Sequence, residues 1–374
     1  MYDCREVGVW KINEVYKCAI QNSWGAGFCL NAWGRNGNGA LGDGPLFNRS
    51  SPVQVPGVSW NDISAGAQHS LARKTDGTLW SWGYNGQGGL GDGTTITRSS
   101  PVQIPGNQWN DISGGRRFST ARKTDGTLWT WGSNGYCQLG NGGNSASPSP
   151  NQVPGTAWND VKAGESHVLA RKTDGTLWAW GRNGYGTLGD GTSISRNSPV
   201  QIPGNQWNDI SAGGRHSLAR KTDGTLWVWG HNTYGQLGDN TTIQRFSPVQ
   251  VPGTYWNDIS AGARQSLARK TDGTLWTWGG NGQFDLGVGD SINRSSPTAV
   301  PGSNWTEISA GYFFSTARKT DGTLWAWGRN TYGALGLGDT ISRCTPVQVP
   351  GNQWQCISTA GTFVTDQTLA LRCR

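Results

Sequence analysis

Apolar residues in this chain alternate with polar ones over very short stretches, and each stretch stops at a glycine. In WNDISAG (Trp60–Gly66), Ile63 and Ala65 alternate with polar neighbours, as in a short strand with one buried face. The connection Ala67-Gln68-His69 leads to SLARK (Ser70–Lys74) and then to Thr75-Asp76-Gly77, a hairpin signal in which glycine supplies a positive backbone dihedral. TLWSWG (Thr78–Gly83) places Trp80 and Trp82 two apart, hence on one face of a sheet. A Gly- and Asn-rich loop follows, then Pro101–Gly106, where proline fits an outer edge strand. The pattern predicts four short antiparallel strands, A to D.

The unit recurs. ARKTDGTLW begins, unchanged, at Ala72, Ala121, Ala170, Ala219, Ala268 and Ala317, always 49 residues after its predecessor, and its final Trp-Gly has an earlier relative at Trp33-Gly34. Such a period marks supersecondary units that stack to complete a shared core. Seven four-stranded antiparallel units predict an all-β, seven-bladed β-propeller forming a single domain over residues 1–374. There are seven C and seven D strands, but the A-type start occurs eight times, from Trp10 to Trp354. The surplus predicts that pairing of the N- and C-terminal segments closes the ring. WQCISTAG, with or without TLALRC, would supply inner strands to the blade whose C and D strands lie in 28–56. Residues 1–27 and 354–374 are the expected closure region, with 1–24 packed alongside.

Composition supports a packed repeat. The 58 glycines are spaced like turn punctuation, and 21 of the 22 tryptophans fall in repeat-phased slots, which suits packing between blades better than seven ligand sites. No apolar run approaches the ~18 residues of a membrane span, and MYDCREVGVW lacks the apolar core of a signal peptide. The net charge of +7 points only weakly to anionic partners, because each Arg-Lys pair, such as Arg73 and Lys74, sits near acids such as Asp62 and Asp76. Cys4, Cys18, Cys29, Cys344, Cys356 and Cys373 crowd the two ends, which meet in a ring. Disulfides among them are expected, with connectivity open and reduced thiols as the alternative. Disulfides would imply an extracellular or cell-surface location, free thiols a cytoplasmic one.

The pattern I-S-A-G-x-x-H-S-L-A, D-G-T-L-W-x-W-G-x-N-x-x-G-x-L-G and S-P-V-Q-V-P resembles the regulator of chromosome condensation repeat family of seven-bladed propellers, over residues 28–361. The resemblance implies three known activities. The nucleotide exchange activity uses a protruding insertion, for which units two to seven, all of 49 residues, leave no room. The ultraviolet-B photoreceptor's tryptophan is replaced here by Ala67, Arg116, Glu165, Gly214, Ala263 and Tyr312. A secreted bacterial β-lactamase inhibitor binds its target with aromatics in this same turn, and AGYFFS (Ala310–Ser315) is similar to that usage.

Units two to seven keep the B–C turn constant but vary the A–B turn, which reads AQH, RRF, ESH, GRH, ARQ and YFF, and the start of the C–D loop. In an up-and-down blade these two connections emerge on one side. The varied slots are rich in Arg, Tyr, Phe and His, the side chains that dominate binding hot spots. The expected function is a non-enzymatic scaffold binding a macromolecule, most simply a protein, as a monomer. The expected contact residues are Arg35, Tyr84, Arg116, Arg117, Phe118, Glu165, Arg182, Arg215, His216, His231, Arg264, Tyr312, Phe313, Phe314 and Arg329. The alternative is a multivalent glycan binder using Tyr136, Tyr185, Tyr234 and Tyr332. A third reading is an exchange-factor-like or nucleic-acid-associated member using Arg98, Arg196, Arg245, Arg294 and Arg343, although Asp92, Asp190, Asp239 and Asp339 lie nearby. Drift of unconstrained loop tips is the bland alternative. No catalytic residue, metal or cofactor is expected: His69, His167 and His216 share a slot filled elsewhere by Phe118, Gln265 or Phe314, and GLGDGTT lacks the dense carboxylates of a calcium loop.

Overall fold

A computed structural model describes residues 28–361 and 366–373. These form seven four-stranded antiparallel sheets, all β, arranged as a propeller. Blade 1 consists of strands A (Trp60–Ala65), B (His69–Lys74), C (Leu79–Gly83) and D (Arg98–Gln103), and blades 2 to 6 repeat this order through Gln348. Blade 7 takes A (Trp354–Thr359) and B (Gln367–Arg372) from the C-terminus, and C (Cys29–Gly34) and D (Arg49–Gln54) from near the N-terminus. Strand B pairs with strand C there from Cys29↔Arg372 to Gly34↔Gln367, so the ring closes as the surplus A segment predicts, with TLALRC included. The expected packing of residues 1–24 lies outside the described residues.

The apolar core lies between blades rather than within them. One cluster joins Phe118, Leu128 and Val153 of blade 2 to Trp158, Val168 and Trp180 of blade 3, and another joins Leu30, Leu369 and Leu371 of blade 7 to Trp60 and Trp82 of blade 1. Burying an apolar side chain of this size contributes about 1.5–3 kcal/mol, so each blade depends on its neighbours. Polar links follow the same seam. Trp33, Trp82, Trp131, Trp180, Trp229, Trp278 and Trp327 each donate Nε1–H at 2.8–3.0 Å to a carbonyl in the C–D loop of the preceding blade. The tryptophans of the repeat are therefore structural.

The constant B–C turn has the same kind of explanation. Asp76 accepts from the backbone N–H and hydroxyl of Thr78, and that hydroxyl accepts from Trp80 Nε1. The Lys74 ammonium lies 5.1 Å from the Trp60 ring and 4.2 Å from the Trp80 ring. The arrangement recurs from Lys123 to Lys319 in the following blades. ARKTDGTLW is invariant because it is a packing and turn unit.

The expected set of disulfides is corrected in part. Cys344 and Cys373 are free thiols; Cys356 is disulfide-bonded; and Cys4 and Cys18 lie outside the described residues. The closure register is the reason Cys29 and Cys373 stay apart, since it sets Cys29 opposite Arg372. Their sulfurs instead accept from Gln54 and Gln355 respectively.

Candidate functional site

At the end of the ring formed by the A–B turns and C–D loops, variable residues divide into two sets. The first faces the next blade. His69, His167 and His216 are buried, and their Nε2 atoms share hydrogen bonds of 2.7, 3.0 and 2.8 Å with Ser119, Ser217 and Ser266, each one blade further on. Gln265 Nε2 donates to the carbonyls of Gly311 and Phe314, and Gln367 does likewise to Gly66 and His69. Where blade 3 presents Val168 instead of serine, the facing residue is Phe118, and both sit in one apolar cluster. Phe314 is equally buried, against blade 7. Polar residues meet hydroxyls or carbonyls, and Phe118 meets the valine.

Three expected contact residues are thereby corrected. Phe118, His216 and Phe314 have no exposed surface and fill the seams between blades. Desolvation lowers the pKa of His69 and His167 to about 4 and that of His216 to about 3, so these rings are neutral at pH 7. Glu165, only 6% exposed, bridges Arg116 at 3.1 Å and Arg215 at 3.8 Å and acts as a brace beneath two guanidinium groups.

The second set stands outside the seams and forms one continuous belt from blade 2 to blade 7. The Arg182 guanidinium lies 4.7 Å from the Tyr136 ring and 5.6 Å from that of Tyr185. Tyr185 meets His231 at 5.0 Å, and His231 meets Tyr234 at 6.3 Å. Arg264 then bridges Tyr234 and Phe313 at 4.8 and 5.2 Å, Arg329 bridges Phe313 and Tyr332 at 5.5 and 5.6 Å, and Arg35 covers Tyr332 at 5.0 Å. Tyr312 meets Phe313 at 4.1 Å with the rings tilted by 58°, and Arg117 over Tyr84 makes a separate pair on the remaining arc. These distances fall in the range of cation–π and aromatic attraction, which holds long side chains in place before anything binds.

The loops also carry a feature that the sequence reading missed. Phe47, Ile96, Ile194, Ile243, Ile292 and Ile341 occupy one repeat slot and are 58–74% exposed, with Ser145 in the seventh. Their 49-residue spacing was the available signal. Beside them, Arg98, Arg196, Arg245, Arg294 and Arg343 each form an ion pair of 2.6–3.0 Å within their own loop. These five arginines brace their own loops, each with its charge paired. Among the described residues no group of three or more His, Cys, Asp or Glu is placed to hold a metal, and no helix is long and apolar enough to cross a membrane.

A family model described as RCC1-like domain matches residues 16–257, and one described as Regulator of chromosome condensation (RCC1) repeat matches 272–318 and 321–364. No curated protein matches the chain. Among solved structures, Prp20p of Saccharomyces cerevisiae, described with its binding properties to Gsp1p and histones, is 22% identical with a TM-score of 0.85, covering 96% of this chain and 95% of that one. Yeast RCC1 (Prp20) bound to Kap60 is 20% identical with a TM-score of 0.85, over 100% and 96%. Human WBSCR16 is 22% identical with a TM-score of 0.81, over 92% and 98%. At these identities the likeness shows the fold alone.

Proposed function

This chain belongs to the Regulator of chromosome condensation (RCC1) repeat family, and on that premise we propose that it is a non-enzymatic scaffold binding a protein through its A–B and C–D face. The belt of arginine and aromatic side chains carries the reading. It differs from blade to blade, whereas the lysine–tryptophan pairs at the opposite end recur unchanged in blades 1 to 6. Pre-ordered arginine and aromatic side chains lose little entropy on docking. The exposed isoleucines on the same loops add apolar area around that polar centre. Prp20p, described as binding Gsp1p and histones, and yeast RCC1 bound to Kap60 are precedents for protein partners on this fold.

The glycan reading is the weaker one for a geometric reason. Tyr136, Tyr185, Tyr234 and Tyr332 already have guanidinium groups over their rings, and sugar stacking needs a free face. The test is affinity capture from the native source with the wild type and with Arg117→Ala/Arg182→Ala/Arg215→Ala. A single captured protein lost from the variant supports the proposal. Equal capture by both, or retention of a sugar by several blades alike, overturns it.

A further inference from the structure

Blade 5 breaks the repeat twice in one place. Its C–D loop begins with Gly280, where the others have Arg35, Tyr84, Ser133, Arg182, His231 or Arg329. It continues to Asp285, where the others have Ala40, Gly89, Gln138, Thr187, Gln236 or Ala334. With no side chain at Gly280, a cavity of about 200 Å³ opens at the junction of blades 4, 5 and 6, bounded by Tyr234, Arg264, Gln283, Asn293, Phe313 and Asp285.

This cavity holds a buried carboxyl oxygen without a hydrogen-bond partner and, beside it, an exposed guanidinium. Asp285 is 2% exposed, and its Oδ1 has no hydrogen-bond partner. Leaving such an oxygen buried and unsatisfied costs about 1–3 kcal/mol. Arg264 is exposed and held between the Tyr234 and Phe313 rings, and it forms no ion pair with a carboxylate among the described residues. A fixed planar fork of this kind matches a carboxylate, which can take two parallel N–H donors.

We propose that the blade 5 cavity is a carboxylate-binding site, in which the Arg264 fork takes one edge of the bound group and the Asp285 carboxyl meets it from the buried side. Resting on the protein-binding reading, this makes the bound group an Asp or Glu side chain of the partner; a free small carboxylic acid has the same chemistry. Burial raises the pKa of Asp285 to about 8, so the carboxyl holds its proton at neutral pH. The charged or titratable groups around it are Arg264 on the A–B turn of blade 5, Arg329 on blade 6 and Asp366 on blade 7, with His231 on blade 4 near Arg264. The two arginines favour an anion over an ammonium.

The test is an NMR titration of the full chain with sodium acetate, and separately with methylammonium, following the Gly280 amide and the Arg264 Nε–H signals. Saturable shifts with acetate alone are expected, with affinity constant between about pH 6 and 8, where acetate is ionised, and falling about tenfold per pH unit above pH 8. Arg264→Gln and Asp285→Ala should each weaken binding at least about tenfold. Asp285→Asn, which keeps an N–H donor, should retain binding and lose the pH dependence. Absence of acetate shifts, binding that strengthens above pH 8, or preference for methylammonium overturns the site, even if partner capture survives. Acetate binding alongside capture that is indifferent to the triple arginine variant upholds the site and sinks only the protein-binding reading. If Asp285→Ala also weakens capture, the carboxylate belongs to the partner; if it affects acetate alone, the source is a free acid.

Discussion

Exchanging the residues at one seam between blades tests whether those pairs specify one another. Phe118 of blade 2 and Val168 of blade 3 form the apolar version of a junction that is His–Ser at three other places. Phe118→His alone buries a ring nitrogen against valine, with an unsatisfied-group penalty of about 1–3 kcal/mol. Val168→Ser alone removes two methyl groups, at about 0.8 kcal/mol each. Its new hydroxyl would reach the Gln138 carbonyl, as Ser119 reaches Gly89 and Ser217 reaches Thr187. The double variant rebuilds a His–Ser bond of the kind seen at 2.7–3.0 Å, so its loss should be smaller than the summed single losses by about 1–3 kcal/mol. Unfolding entropy of about 2.1 cal/mol/K per residue over 374 residues is roughly 0.8 kcal/mol/K, so this coupling is a difference of about 1–4 °C in Tm. Differential scanning calorimetry of the four proteins at pH 8, where histidine is neutral in both states, reads it directly. Additive single effects, within about 0.5 kcal/mol, would refute the account of these seams.

Two further predictions concern pH. The folded pKa of His167, about 4, lies below its unfolded value of 6.5, so the unfolded chain takes up the proton first as pH falls. Relative to His167→Gln, the wild type should lose about 1.4 kcal/mol per pH unit between about pH 6.5 and 4, measured by urea unfolding of the pair; parallel pH profiles would contradict this. Asp285 has the opposite sign: its folded pKa, about 8, lies above its unfolded value of 3.8, so its burial penalises the wild type increasingly as pH rises between those values. Asp285→Asn should therefore be the more stable protein, by a margin that widens up to about pH 8 and then levels off; a margin independent of pH would count against a buried carboxyl.

Much of the fold was readable from alternation and period. Ile63 and Ala65, the Thr-Asp-Gly turn and Trp80 with Trp82 marked strands A, B and C, and the surplus A segment foretold the closed ring. The face was readable only in part. Arg117 and Phe118 are neighbours in one turn, yet Arg117 lies over Tyr84 and Phe118 is sealed against blade 3. The lysine–tryptophan and aspartate–threonine contacts explain the constancy of the B–C turn by packing.

The sequence by itself determined the repeat and the blade, because hydrogen bonding within blades 1 to 6 joins residues close along the chain and leaves an alternating pattern behind, and it determined the closure because A-type segments outnumber C and D strands. Only the tertiary structure decided which variable residues are seams and which are surface. The partner of each seam residue lies about one full repeat away, as with His69 and Ser119, and the belt is assembled from loops of six blades. No local pattern records such a pairing, since it depends on where the neighbouring blade stands.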